Sequence, residues 1–414
     1  MIESRTDVLI VGAGPTGLAL ALALQQANVQ PMVVDALPAG LNTSRAAVVH
    51  AHTLEMLDQL GIMDDLQSAG TQVQRFTIRD RDEPLLEINF SQLPSAFRHM
   101  LMIPQPATEA ILDTHLAALG GTVRQNVKAT KLSQHGDFAE VLLETPEGLE
   151  LVRARIVVGA DGMHSAVREA TSISFEGGAY AGSFVLADVR MDWPLPGGEV
   201  SLFFSPAGLV VVAQLPDGMY RIVATMDEAP EVVTIADVQG LIDARGPSAG
   251  AQVREVSWSS RFRVHHRLAS SYRDGRVVIL GDAAHVHSPA GGQGMNAGLI
   301  DAVVLASALT AVVRDGAPLA VVDDYAATRR PAAREVLGLA SRLTGVATVR
   351  PAILRGIRNF MLRLLNRMPA IKAKLALQLS GISRREMSSL HLPQLQGDEA
   401  VPAAVEKEEL AETA

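Results

Sequence analysis

The stretch DVLIVGAGPTGLALALALQQANVQPMVVD, Asp7 to Asp35, limits the possible folds more than any other part of the chain. An uninterrupted apolar run, the length of one strand buried on both faces, is followed by Gly12, Gly14 and Gly17. Residues Pro15 to Ala27 suit a helix, and VQPMVVD reads as a second buried strand. Two such strands joined through a helix must lie parallel, because no tight turn can close a parallel pair, and the crossover is right-handed. The chain therefore starts an α/β sheet covered on both faces.

Later segments either return to this sheet or leave it. ARIVVGADG (Ala154–Gly162) and GRVVILGDAAH (Gly275–His285) have the same buried-strand character. EVSLFFSPAGLVVVAQLPDGMYRIVATM instead breaks three apolar runs at Ser-Pro-Ala-Gly and Pro-Asp-Gly, which predicts an antiparallel meander. Thr71–Phe90 reads as another hairpin, and SFVLADVRMDW and VREVSWSSRFRV as further strands. After Asp301 the pattern is helical to about Ser380. With 414 residues, two or three domains are expected.

Composition removes several chemistries. The chain has no cysteine, so disulfides, thiol nucleophiles and thiolate metal sites are absent, and the expected setting is a reducing cytoplasm. A net charge of −9 argues against nucleic-acid binding, whose affinity comes largely from phosphate neutralisation. The start lacks a basic leader before its apolar run, and no apolar stretch reaches the roughly 18 residues of a membrane span.

The glycine triplet has the G-x-G-x-x-G spacing, directly after a strand and opening a helix. The first glycine permits the tight turn, the second lets backbone approach a pyrophosphate, and the third lets helix and strand pack closely. The helix start presents free N–H groups to phosphates, and Thr16 can add a hydroxyl. Asp35, 18 residues after Gly17, is placed to accept a ribose hydroxyl and to repel a 2′-phosphate. The expected ligand at this turn is FAD or NAD.

Two further stretches carry chemistry. VVGADGMHSAVRE (Val157–Glu169) sets Asp161 at a strand end, with His164 and Arg168 following. GDAAHVHSPAGGQGMNAGLIDA (Gly281–Ala302) sets Asp282 after a buried strand, where it could accept hydrogen bonds from a polyol. Its glycines let backbone lie against a flat ring, and a helix starting near Met295–Asn296 aims a positive end at an anionic edge. His285 and His287 lack the further ligands a metal needs, so no metal is expected. No G-x-S-x-G nucleophile turn is present.

Together GAGPTG, ADGMHSAVR and the Gly281–Ala302 stretch resemble the class A flavoprotein aromatic monooxygenases, the group of para-hydroxybenzoate and polyketide hydroxylases. SRAAVVHAHTLEMLDQLG around Arg45 and MIPQPATEAIL around Gln105 agree, and the resemblance spans about residues 5–345. It implies an α/β fold. A Rossmann-like FAD-binding domain (1–72, 100–178 and 270–345) would be interrupted by a mostly antiparallel β substrate domain (73–99 and 179–269). C-terminal helices would follow, as a basic region at 346–395, ahead of a disordered acidic tail at 396–414.

The resemblance also assigns residues. Gly12, Gly14, Thr16, Gly17 and Asp35 would hold the ADP half of FAD. Arg45 and Gln105 would touch its pyrophosphate–ribityl region, and Asp282 the ribityl hydroxyls. Gly292, Gly294, Met295 and Asn296 would face the ring through their backbone, and the Pro289 carbonyl would lie near the oxygen-transfer edge, making Arg45 and Pro289 the candidate catalytic residues. Asp161, His164 and Arg168 look like the motif that contributes to NADPH or NADH engagement as well as to the structure of the FAD domain. The implied reaction uses that reductant and O2 to hydroxylate an aromatic small molecule (phenolic, polyketide or heteroaromatic) through a C4a-hydroperoxyflavin. Alternatives are a flavin reductase of a lipophilic isoprenoid and a redox-silent FAD-binding protein. In the meander, Phe203, Phe204, Val210 and Val212 are candidate walls of the substrate pocket.

No acid occurs between Arg342 and Arg385, among ten basic residues. Within this region Ile353, Ile357, Phe360, Met361, Leu364 and Leu365 share one helical stripe, with Arg355, Arg358, Arg363 and Arg367 off it. The stripe is expected to dock on the protein itself, with peripheral membrane contact through 350–368 as the alternative.

Overall fold

The computed structural model describes residues 2–38, 46–226, 230, 232–347, 349 and 351–390. Arg45 and the expected disordered tail at 396–414 lie outside the described residues. Strand β1 (Ile2–Val11) enters α1 (Pro15–Gln26) and returns as β2 (Met32–Val34), parallel to β1 with Leu9 opposite Met32. The chain leaves to form the hairpin β3 (Arg75–Asp80) and β4 (Glu83–Asn89), then returns through α2 (Gln105–Ala118) to β5 (Gly148–Gly159). β5 runs parallel along the other side of β1, with Val8 opposite Ile156.

A second excursion starts with β6 (Phe175–Asp192) and the meander β7 (Glu199–Ser205), β8 (Gly208–Gln214) and β9 (Tyr220–Met226). Helix α3 (Ile235–Arg245) and the long strand β10 (Gln252–Ala269) close it. Strand β11 (Val277–Ile279) then pairs in parallel with β5, giving the order β11–β5–β1–β2. All four strands point the same way, so their carboxyl ends share one edge, where open α/β sheets bind ligands. An antiparallel pair, Lys128–Gln134 and Ala139–Thr145, extends from β5; the sequence reading did not anticipate it.

The second sheet has the order β10–β6–β9–β8–β7–β3–β4. Pro-Asp-Gly makes the β8–β9 turn by putting Asp217 (φ 59°) and Gly218 (φ 71°) in left-handed conformations. One face of this sheet packs Val185, Phe203, Val210, Val212 and Ile222 against Val238 and Ile242 of α3. Burying each such side chain stabilises the sheet by about 1.5–3 kcal/mol, which makes this face a core in its own right. The opposite face turns toward the parallel sheet.

Four α-helices, α4 (Gly294–Val313), α5 (Val321–Ala347), α6 (Ala352–Asn366) and α7 (Pro369–Leu379), and a 3-10 helix at Ile382–Ser388 end the described chain. α4 is long and apolar enough to cross a membrane, but 89% of its apolar window is buried inside the protein. α6 docks on the protein as expected, but not through its apolar stripe, of which Leu365 alone is half-buried against the core. Ile353, Ile357, Phe360, Met361 and Leu364 are exposed, while Arg358, Asn359 and Leu362 are buried. The inward face is polar because it finds partners. The Arg358 guanidinium lies 4.6 Å from the Phe204 ring centre, and Asn359 donates to Asp80 at 2.7 Å.

Candidate active site

Three loops at the carboxyl edge of the parallel sheet meet the second sheet around a cavity of about 780 Å³. The first loop is the glycine turn. Gly12 has φ +105°, and a Cβ there would sit 2.4 Å from the Ala160 carbonyl oxygen; one on Gly17 would sit 1.9 Å from that of Gly12. Both glycines are fixed by backbone, which cannot give way. Gly14 meets nothing within 4 Å and lines the cavity, as do Gly12, Pro15, Thr16 and Asp35. Gly17 itself is buried in the seam.

Asp35 organises this turn. Its carboxylate accepts from the Ala13 N–H at 2.6 Å and the Leu37 N–H at 2.8 Å while bordering the cavity. Thr16 reaches the cavity wall, but its hydroxyl oxygen packs in the seam with α4. A Cβ on Gly298 would come within 2.4 Å of it and one on Gly281 within 2.9 Å. Its oxygen thus serves close helix packing, where the sequence suggested a phosphate donor. Gln105, at the start of α2, also lines the cavity and donates to Glu109 at 2.9 Å.

The second loop follows β5. Asp161, Gly162, Met163 and His164 line the cavity. Burial pushes the Asp161 carboxyl up, opposed by donors from the Ser165 hydroxyl and, at 3.1 Å, the Val167 N–H. Arg168 agrees with the structural part of the reading but not with a place at the ligand, since it is buried and not among the cavity-lining residues. Its guanidinium lies 4.0 Å from the Phe175 ring centre and donates to the Met163 carbonyl at 2.9 Å and the Ala283 carbonyl at 2.8 Å. It therefore ties the second loop to the third.

The third loop runs from β11 into α4, with Asp282, His287, Pro289, Gly292, Gly294 and Met295 on the cavity wall. Asn296 is not there, which corrects the expectation that it faces the ligand. Its side chain accepts from the His50 N–H at 2.7 Å and donates to the Val48 and Gly292 carbonyls at 2.8 and 2.7 Å. It fixes the shape of the glycine loop from behind.

Beneath this loop His285 meets Asp301 at 2.6 Å, and Arg329 donates to the other Asp301 oxygen at 2.7 Å, all three fully or nearly buried. Burial alone would raise the Asp301 carboxyl; the His285 and Arg329 charges and hydrogen bonds hold it below its ordinary value. This pairing occupies His285, and His287 Nδ1 meets the Ser288 carbonyl at 2.8 Å. Burial pushes His287 down to about 4, opposed by that carbonyl.

Sequence reasoning missed His50. Its Nε2 meets the Gly291 carbonyl at 2.8 Å, and burial pushes its imidazole down to about 4. Both histidines are thus neutral at pH 7, so the positive field at the loop comes from the start of α4 and from Arg384, which donates to Gln293 at 3.1 Å. The stretch AVVHAHTLEM contained His50, but nothing in its spacing pointed to Gly291.

The second sheet supplies the remaining wall, through the face opposite to the one expected. Phe184, Leu186, Val200, Leu202, Leu209, Val211, Ala213 and Val223 line the cavity, whereas Phe203, Val210 and Val212 point into the α3 core. Phe204 shares the cavity-side parity but lies under Arg358, outside the lining. Side chains alternate along a strand, so an error of one residue exchanges the faces. Every residue of β7 is buried, including the polar Glu199, Ser201 and Ser205 on the face that Phe203 shares, so polarity did not mark the face turned away from the cavity. Arg221 and Arg263 bring cations to this wall; the Arg221 guanidinium pairs with both Asp188 oxygens at 2.7 Å and donates to the Ala46 carbonyl at 2.8 Å.

These residues fit FAD. Gly14 opens toward the cavity without obstruction, an acid ends β2, and a glycine loop followed by a helix start borders the same space. A family model described as an FAD binding domain matches residues 5–340. The chain is 38% identical over 354 residues to 6-methylpretetramide 4-monooxygenase of Streptomyces rimosus, covering 84% of this chain and 63% of that relative's length. Among solved structures, p-nitrophenol 4-monooxygenase from Pseudomonas putida aligns with a TM-score of 0.84 at 26% identity, over 93% of this chain and 99% of that one. An anhydrotetracycline hydroxylase from Streptomyces rimosus aligns with a TM-score of 0.77 at 34% identity, over 91% and 76%. On its glycine turn, its third loop and these likenesses, the chain belongs to the class A FAD-dependent aromatic hydroxylases.

Proposed function

We propose that this protein uses NADPH or NADH and O2 to hydroxylate an aromatic small molecule, phenolic, polyketide or heteroaromatic. The observation that carries this reading is the continuity of one cavity. The same space is bordered by Gly12 and Asp35 at one boundary and by Leu202 and Val211 of the second sheet at another. FAD supplies the redox chemistry, accepting a hydride and activating O2, which side chains alone cannot do.

The chain's own residues then bind, orient and shield. Gly12, Gly14, Gly17 and Asp35 would hold the ADP half, with Gln105 and Asp282 along the linker and the backbone of Gly292, Gly294 and Met295 at the ring. The Pro289 carbonyl would border the oxygen-transfer edge, and Asp161 and His164 would border the approach of the nicotinamide. The apolar wall from Phe184 to Val223 excludes water and positions the aromatic ring, so that oxygen transfer competes with loss of peroxide. We assign residues 73–99 and 179–269 to a substrate domain and the remainder up to 345 to the FAD domain. The protein would work in the cytoplasm, touching lipid peripherally through 350–368.

An oxygen electrode tests this reading with the FAD-loaded protein, NADPH or NADH, and a panel of aromatic compounds. Faster O2 and reductant consumption with one class of aromatic is the expected result. Turnover that persists without O2 would favour the isoprenoid reductase, and inertness with every compound the redox-silent protein.

A further inference from the structure

Helix α6 presents an unusual outer face. Among the described residues thirteen large apolar side chains are exposed, and seven of them fall within Ile353–Met368: Ile353, Leu354, Ile357, Phe360, Met361, Leu364 and Met368. Ile353 is 80% and Phe360 63% exposed. At 100° per residue the first six form one continuous stripe along the helix, opposite the anchored face of Arg358, Asn359 and Leu362, with Met368 just past its end. Contiguous apolar exposure of this kind marks an interaction surface.

Charge selects the partner. The chain carries −9 overall, yet positions 342 to 385 contain no acid. Arg363 and Arg367 follow one flank of the stripe, and Lys374 on α7 is exposed nearby in sequence. Glu83 of the β3–β4 hairpin pairs with Arg363 at 2.6 Å, while among the described residues no ion pair engages Arg367, Lys372 or Lys374. A second copy meeting this face through its own would oppose like charges, since Glu83 is taken up by Arg363 and the helices themselves carry no acid. A peptide partner would call for a groove, whereas this is a convex helix whose apolar side runs its full length. An apolar stripe edged by arginine and lysine suits the boundary between headgroups and acyl chains.

We infer that α6 docks the protein on an anionic bilayer surface, with Ile357, Phe360, Met361 and Leu364 inserted and Arg367 and Lys374 against lipid phosphates. The elements on either side of α6 reach the catalytic cavity, since Leu343 and Ala347 of α5 and Leu379 of α7 line it. The docked face therefore belongs to the same helical layer that closes the site, and the inference deepens the peripheral contact proposed above.

Vesicle flotation of the full-length, flavin-loaded protein tests this, using phosphatidylcholine alone and phosphatidylcholine with about 30% phosphatidylglycerol. The anionic vesicles should bind at least about tenfold more tightly, and less so as salt rises. The double variant Ile357→Asp/Phe360→Asp should lose flotation while keeping its flavin absorbance, because both side chains are exposed. Arg367→Glu/Lys374→Glu should lose the preference for anionic lipid. Absence of flotation, equal binding to both vesicles, or variants that float unchanged would each overturn the inference. So would a doubled mass in sedimentation that Ile357→Asp/Phe360→Asp abolishes, which would assign the face to a second copy. Retained flavin absorbance in any of these cases would leave the FAD reading standing.

Discussion

The two sides of the cavity are built on opposite principles. On the parallel-sheet side most polar side chains hold loops in shape: Asp35 the glycine turn, Arg168 two loop carbonyls, Asn296 the glycine loop, and Asp301 the base of the third loop. The surface left for a ligand there is largely backbone and helix starts. On the meander side the ligand surface is side chain, and its chemistry changes completely with strand parity. Substitutions on the first side should therefore act on flavin retention and stability, and those of cavity-lining residues on the second on substrate.

The sharpest break is Gly17→Ala. Its methyl would sit 1.9 Å from the Gly12 carbonyl, and backbone cannot yield without reshaping the turn. The purified variant should be colourless and take up no added FAD by absorbance titration. Next comes Asp301→Asn, which leaves Arg329 and His285 buried without their carboxylate; about 3–5 kcal/mol of stability should be lost in urea denaturation.

A comparable test addresses the meander through two adjacent residues. Phe203→Ala should cost about 3–5 kcal/mol of stability with KM little changed, because Phe203 lies in the α3 core. Leu202→Trp should instead block substrate while the flavin spectrum stays the same, because Leu202 lines the cavity. If the phenotypes were exchanged, the parity described above would be wrong.

Acid separates the two sides more gently. His50 and His287 stay neutral in the fold down to about pH 4, whereas unfolded histidine takes up protons below about 6.5. The unfolded state then binds more protons, so stability is full above about pH 6.5 and falls as pH drops toward 4, by up to about 3 kcal/mol per histidine. Denaturation of the flavin-free protein at several pH values measures this, and His50→Gln should flatten the slope.

How much of this the sequence revealed follows from the same contrast. Gly12, Gly14, Gly17 and Asp35 were legible because a backbone turn before a helix leaves a fixed spacing, and the Gly281–Ala302 stretch announced its loop and helix for the same reason. Arg168 and Asn296 had the right positions in their motifs, but spacing does not say which way a side chain points, and both turn inward to carbonyls. Phe203, Val210 and Val212 were assigned to the wrong face because neither face of β7 meets solvent, its polar Glu199, Ser201 and Ser205 included. The stripe of α6 was read as inward because apolar faces usually are; the partners that bury Arg358 and Asn359 lie on distant strands. His50 meets Gly291 across 241 residues of chain, a contact no local pattern encodes.

Transfer of labelled oxygen tests the single-cavity hydroxylase most directly. With isotopically labelled O2, reductant and the stimulating aromatic, the flavin-loaded protein should return product carrying one labelled oxygen atom, and Leu202→Trp should lose that product with its flavin spectrum intact. Label confined to water and peroxide with every aromatic tried, or labelled product undiminished in Leu202→Trp, would contradict it.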